Sequence, residues 1–283
     1  MASLKAIRKR IVSVRNTQQI TKAMKMVAAA KLRRAQEAVV QSRAFAEKLG
    51  EVVAGLASES SLREHPLVRE RNPQGKVMLL VLTSDRGLCG GFNTNLLRQT
   101  EKFLKTPERT TVLGLVGRKG YDFYKRRSVE IVEHVSTAGT APIELARDIV
   151  ARAVARFMNE EVDAIYLLFS RFRSAISQIP MVERLLPIAA PAANDNPREY
   201  LFEPDRNTVI EDLLPRYVEV KVFQAVLESL ASEHGARMTA MESASKNASE
   251  MIERLTLEMN RARQATITRE LMEIVGGAEA LKG

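Results

Sequence analysis

The sequence predicts an α/β protein in which the N- and C-terminal helices form a long antiparallel two-helix coiled coil carrying an inserted Rossmann-like α/β domain. Three observations lead there. The chain of 283 residues has its first Gly at Gly50 and its first Pro at Pro66, so a long stretch opens without a helix breaker. Apolar residues recur through that stretch in alternating steps of three and four. The middle of the chain alternates continuous apolar runs with amphipathic ones, the pattern of a parallel sheet covered on both faces.

The first element spans residues 1–58. Its seam reads Leu4, Ile7, Ile11, Val14, Gln18, Thr21, Lys25, Ala28, Leu32, Ala35, Val39, Ser42, Ala46, Leu49, Val53 and Leu56, and twelve of these sixteen positions are apolar. Between Gln18 and Lys25 the heptad falters, and Ile20, Met24 and Val27 carry the apolar stripe on a rotated face. A helix of about 55 residues is roughly 80 Å long, so it projects beyond any small domain. Residues 1–50 hold twelve Lys and Arg against two Glu, which accounts for the whole net charge of +9. Such a basic start suits a presequence, a nucleic-acid arm or a solvated helix face.

The insert occupies residues 76–190. Strand runs are expected over 76–82, 110–116, 129–135, 164–170 and 178–186, with helices near 92–104, near 119–126 and after Pro142. The stretch 187–197, PIAAPAANDNP, reads as a loop out of the insert. The last element is the C-terminal coiled-coil helix, 207–283, whose clear helical stretch begins after Pro215 with interruptions at Gly235 and at Gly276 and Gly277. Its seam runs Val218, Val222, Ala225, then Met241, Ala244, Ala248, Met251 or Ile252, Leu255, Met259 and Ala262, and later Leu271, Ile274, Ala278 and Leu281. Small residues in its middle let two backbones approach closely, as in a slender two-helix rod.

Chemistry is sparse. Gly87, Gly90 and Gly91 in SDRGLCGGFN follow the first strand, but GxxGG is neither a dinucleotide nor a P-loop pattern. Gly114, Gly117 and Gly120 also fail the spacing, so a tight turn is the better reading. His65, His134 and His234 have no Cys or second His at metal-ligand spacing. The lone Cys89 excludes an internal disulfide, and it has no His or Asn partner in sequence that would make it a nucleophile. Glu160 and Glu161 close a helical pattern and read as solvated. No run of 18 apolar residues occurs. A zipper with a basic region is disfavoured because Leu4, Ile7, Ile11 and Val14 already fill the seam inside the basic stretch. An enzyme with helical extensions would need nucleotide at the Gly-rich turn.

Three segments together, LKAIRKRIVSVRNTQQITKAMKMVAAAKLRRAQ, TSDRGLCGGFN and ARMTAMESASKNASEMIERLTLEMNRARQATITRELMEIVGGAEAL, resemble the gamma subunit family of the rotary, proton-translocating ATP synthases, bacterial type. The likeness reaches both ends and the middle of the chain. It implies a non-catalytic central shaft: proton flow turns a membrane ring, the ring turns the shaft, and the shaft's asymmetric surface drives the catalytic head. It also implies a part in regulating ATPase activity and proton flow, with no cofactor, metal or nucleic acid of its own. The implied partners are the alpha and beta subunits of the head, the epsilon subunit and the membrane c-ring.

Carried over by motif, the resemblance places Met24, Lys25 and Arg237 against the catalytic subunits, and Arg263, Gln264, Thr268 and Glu270 in the segment that latches onto the head. Leu271, Ile274, Val275 and Leu281 match the apolar tip that turns in a sleeve. Tyr200, Glu203 and Asp205 match the foot that meets the membrane ring and epsilon. The cysteines of the chloroplast redox insert are missing, which rules out thiol regulation of that kind. The family motif starts within the first few residues, so the expectation is a bacterial protein held peripherally on the cytoplasmic side of the inner membrane.

Overall fold

The computed structural model describes residues 4–56, 60–72, 74–106, 109–189, 203 and 205–280. In chain order the elements are α1 (Leu4–Gly55), α2 (Ser60–Glu64), β1 (Val77–Leu82), α3 (Phe92–Leu104), β2 (Thr111–Val116), α4 (Arg118–Tyr124), β3 (Ile131–Val135), α5 (Pro142–Met158), β4 (Ala164–Phe172), β5 (Gln178–Leu186) and α6 (Arg206–Ala280). They divide into two compact units, one of Met1–Val27 with Met238–Gly283 and one of Ala28–Arg237.

In the larger unit the five strands form one sheet in the order β3-β2-β1-β4-β5. β1, β2, β3 and β4 are parallel, and β5 returns antiparallel along β4, which makes the sheet mixed at that edge. All six residues of β1 are buried, as a central strand with covered faces demands. Alternation decides what each side chain meets. Met78, Leu80 and Leu82 share a core with α5 and with Val218 and Val222 of α6, whereas Leu79 and Val81 share another with Phe92 and Leu96 of α3 and Tyr124 of α4. Gly117 has φ +89°, and a Cβ there would lie 2.1 Å from the Thr83 carbonyl oxygen, so only glycine fits this turn.

All sixteen seam positions of α1 are buried or half-buried. In the smaller unit Ile7 and Ile11 pack with Leu255, flanked by Val14 of α1 and by Met251, Ile252, Met259 and Ala262 of α6. The expected rotation of the stripe does not occur. Ile20 and Val27 are 60% and 57% exposed, and the seam keeps to Gln18, Thr21 and Lys25.

α6 is regular helix ahead of Pro215, where the clear helical stretch was expected only after it. It begins at Arg206, before Pro215, and runs without a break through Gly235. Asp205 caps it, accepting the Thr208 N–H at 3.0 Å and the Thr208 hydroxyl at 2.7 Å. Those bonds hold the Asp205 carboxyl below its ordinary pKa. Pro215 removes one helical N–H, but Glu211 and Pro215 are both exposed, so water can reach the freed carbonyl. Gly235 stays because Ala175 and Phe172 crowd it, each with an atom 3.3 Å from where a Cβ would sit.

Candidate functional site

The polar part of the seam in the smaller unit is a ladder. Gln18 Nε2 donates to Ser249 Oγ at 2.6 Å, the Thr21 and Ser245 hydroxyls share a hydrogen bond of 2.7 Å, and Lys25 Nζ meets Glu242 Oε1 at 2.6 Å. Each step forward along α1 is matched by a step backward along α6, which is the mark of antiparallel pairing. Polar side chains therefore satisfy one another where apolar layers would otherwise sit. Met24 lies beside this ladder, half-buried.

In the larger unit a second cluster joins α6 to the Gly-rich turn. Arg237 Nη2 donates to the carbonyls of Gly87 at 3.2 Å and Arg86 at 3.4 Å, and also pairs with Glu233 at 2.8 Å. Burial raises the Glu233 carboxyl pKa, and Arg237 opposes that rise. Next to them, burial together with Arg237 and Lys31 lowers His234 to about 4. Its Nδ1 has no hydrogen-bond partner among the described residues. Inside the turn Cys89 is 2% exposed and desolvation raises its thiol pKa, and, contrary to the expectation of no Asn partner, Asn93 Nδ2 donates to its Sγ at 3.3 Å.

In a doubly wound sheet nucleotide binds at the switch point, which here lies between β1 and β4, and on the other side of β1 the turns after β1, β2 and β3 hold an anion of their own. The Asp85 carboxylate accepts the Arg118 N–H at 2.8 Å, the Thr137 N–H at 3.0 Å and the Thr137 hydroxyl. A cavity of about 20 Å³ between Leu82, Thr83, Thr137 and Glu233 is far below the roughly 300 Å³ at which small-molecule sites begin.

A third cluster was not legible in the sequence. Arg43 grips Glu228 through Nε at 2.6 Å and Nη2 at 2.9 Å, and Nη2 also donates to the Phe172 carbonyl at 2.8 Å. Glu228 is 1% exposed. The one available signal was a charged residue inside the apolar run AVLESLA.

Arg263, Gln264, Thr268 and Glu270 are all exposed, and among the described residues none makes an ion pair or side-chain hydrogen bond. Leu271, Ile274 and Val275 are 56%, 67% and 57% exposed, so the seam of α6 ends near Ala262 and a separate apolar stripe follows it. Glu203 is exposed, and Asp205 serves as the helix cap. Tyr200 and Leu281 lie outside the described residues. The structure thus brings Lys25 to Glu242 and Arg237 to the Gly-rich turn, and leaves the latch residues on open helix surface.

What the fold and these clusters define is a subunit built on a helix pair, its inner polar groups engaged with one another and Arg263, Gln264, Thr268 and Glu270 exposed on its surface. The comparisons agree. A family model described as ATP synthase matches residues 3–281, and the chain belongs to that family, among its gamma chains. It is 51% identical over 288 residues to the ATP synthase gamma chain of Geotalea uraniireducens and 50% identical over 283 residues to that of Moorella thermoacetica, each alignment covering 100% of both proteins. Among solved structures it resembles a chain of the Tetrahymena thermophila mitochondrial ATP synthase central stalk and c-ring (27% identity, 80% of this chain and 99% of that one, TM-score 0.65). It shares its fold with a chain of the Euglena gracilis mitochondrial ATP synthase (21% identity, 98% and 94% coverage, TM-score 0.67).

Proposed function

We propose that this chain is the central rotor shaft of a proton-translocating ATP synthase. It links a membrane ring of c subunits to a catalytic head of alpha and beta subunits, with epsilon beside its foot, and takes no part in the bond chemistry itself. The observation that carries the reading is full-length identity near 50% to gamma chains over the whole of both proteins.

The surface supports a mechanical role. Of the twelve basic residues in 1–50, all but Lys25 and Arg43 are exposed, so α1 turns a cationic face outward, with Ile20, Met26 and Val27 exposed among the charges. A turning surface of this kind presents different contacts to each catalytic subunit in turn, and it favours one conformation only through differential binding. Moving a two-state subunit from 1:99 to 99:1 takes about 5.5 kcal/mol of such preference, more than a single exposed contact supplies. Arg263, Gln264, Thr268 and Glu270 would latch onto the head, with Arg263 offering a bidentate fork for a carboxylate. Leu271, Ile274 and Val275 would turn in an apolar sleeve, and Leu281 belongs to the same proposal. Met24, Lys25 and Arg237 would meet the catalytic subunits through the parts of their side chains that the ladder and the turn leave open. Tyr200, Glu203 and Asp205 would lie toward the ring and epsilon. Through the same coupling the chain would regulate ATPase activity and proton flow.

No helix among the described residues is long and apolar enough to cross a membrane. In this reading attachment runs through the complex, peripherally and on the cytoplasmic side of the inner membrane, and the likeness to bacterial gamma chains is what supports it. The test is purification of a tagged chain from its own organism. Recovery of two large ATPase subunits in threefold excess supports the assignment, and their absence refutes it. Release of the complex's head and this chain together by a low-salt wash of membranes tests the placement.

A further inference from the structure

β4 outruns its neighbour. β1 ends at Leu82 and pairs with β4 only as far as Leu168, whereas β4 continues to Phe172 along β5 on its other side. The edge left open is bonded by side chains of the two long helices instead of a strand. Ser170 N–H donates to Ser229 Oγ at 3.1 Å, and Ser232 Oγ donates to the Ser170 carbonyl at 2.8 Å. Phe172 N–H donates to Glu228 Oε2 at 2.8 Å, and Arg43 of α1 donates to the Phe172 carbonyl at 2.8 Å. All four backbone groups of these two alternate residues are thereby satisfied, and the Arg43–Glu228 pair closes the array.

We propose that this junction of Arg43, Glu228, Ser229 and Ser232 with the end of β4 is the joint that carries torque between the α/β body and the two long helices. The proposal rests on the rotor reading above. Elsewhere in the body α6 meets the sheet through Val218, Val222 and Val226, and apolar contact resists separation but has no preferred direction. Under a twisting load such a surface can slide. Hydrogen bonds with a fixed length and angle cannot, and burial away from water strengthens them. Glu228 and Ser232 are 1% and 0% exposed. The ion pair Arg147–Glu219 also reaches α6, but with Arg147 65% exposed it contributes little stiffness, and Arg237 reaches the Gly-rich turn instead of the sheet, through longer bonds of 3.2 and 3.4 Å to the carbonyls of Gly87 and Arg86. Arg43 matters because one guanidinium holds α6 and β4 together from α1, so the three elements turn as one.

The test uses the whole ATP synthase in its membrane, with this chain carrying Glu228→Gln or Arg43→Lys. Gln keeps an oxygen for the Phe172 N–H and removes the charge that holds Arg43, while Lys keeps the charge and loses the fork. Three quantities are read per assembled complex: ATP hydrolysis, ATP-driven acidification of vesicles, and the angular fluctuation of a probe fixed to the α/β body while the head is stalled. The expected result is wild-type hydrolysis, wider fluctuation and loss of acidification per ATP hydrolysed. A role in stability alone would reduce the amount of complex without widening the fluctuation, and that result, like unchanged values in both variants, overturns the joint. If Glu228→Gln fails to assemble, Arg43→Lys carries the measurement, since its ammonium still neutralises Glu228. A wild-type probe that never turns with ATP would remove the rotor reading instead, so the two failures are distinct.

Discussion

Leu255 and Leu257 stand two residues apart on α6, one 5% exposed against Ile7 and Ile11 and the other 60% exposed. Truncating each to Ala therefore isolates what the seam contributes. Leu→Ala in a packed core costs 2–5 kcal/mol, and a two-helix seam is open on both flanks and can partly close, so about 2 kcal/mol is expected at Leu255. On the exposed face the same change stays within about 0.5 kcal/mol. A loss of about 2 kcal/mol raises the open population of the pair roughly 30-fold. Hydrogen exchange on the full chain reads this directly: amides in 4–14 and 251–262 should exchange faster by about that factor in Leu255→Ala, with β1 and β2 unaffected, and should hardly change in Leu257→Ala. Equal effects at the two positions, or a larger one at Leu257, would show that α1 and α6 do not pair through this seam.

Further outcomes follow from single positions. Gly117→Ala forces a Cβ to 2.1 Å from the Thr83 carbonyl oxygen at φ +89°, and should lower the unfolding midpoint by an amount equivalent to about 1–3 kcal/mol. His234 sits at about 4 when folded, below its ordinary value of 6.5, so the unfolded chain binds the extra proton. Its stability contribution is complete above pH 6.5 and falls as pH drops toward 4, by up to about 3 kcal/mol, and His234→Gln should flatten that acid limb in a urea titration. Glu233, whose carboxyl is raised, acts in the opposite sense just above the usual Glu pKa, so the double variant with Glu233→Gln separates the two. Cys89, buried with a raised thiol pKa, should resist alkylation in the native chain and react fully in denaturant. Arg263→Ala should leave the unfolding midpoint unchanged and lower proton pumping per ATP hydrolysed; unfolding would contradict its exposed placement.

The seam of α1 was legible because helical periodicity is local: every one of the sixteen positions read from residue spacing is buried or half-buried. The pairing of Gln18, Thr21 and Lys25 with α6 was not. Apolar Ile20 and Val27 drew the stripe away from it, and only Ser249, Ser245 and Glu242 on the distant helix make those polar positions favourable. The strands of the insert follow from continuous apolar runs, and β5 matches its expected bounds of 178–186. Its antiparallel direction depends on the five-residue return between Phe172 and Gln178, a feature of pairing that composition does not carry. Pro215 hid the start of α6 because a proline on the solvent side of a helix costs less than one facing the core. The Arg43–Glu228 junction needs the register of β4 against two helices, so no local pattern announces it. The latch residues and Leu271, Ile274 and Val275 of the tip came from motif likeness, and their exposure is what the structure adds.

The central claim is rotation, and it is tested by fixing the catalytic head of the purified complex to a surface, attaching a probe to this chain and supplying ATP. The account predicts stepwise turning in one direction that stops when ATP is withdrawn. Steady ATP hydrolysis with a motionless probe would contradict it.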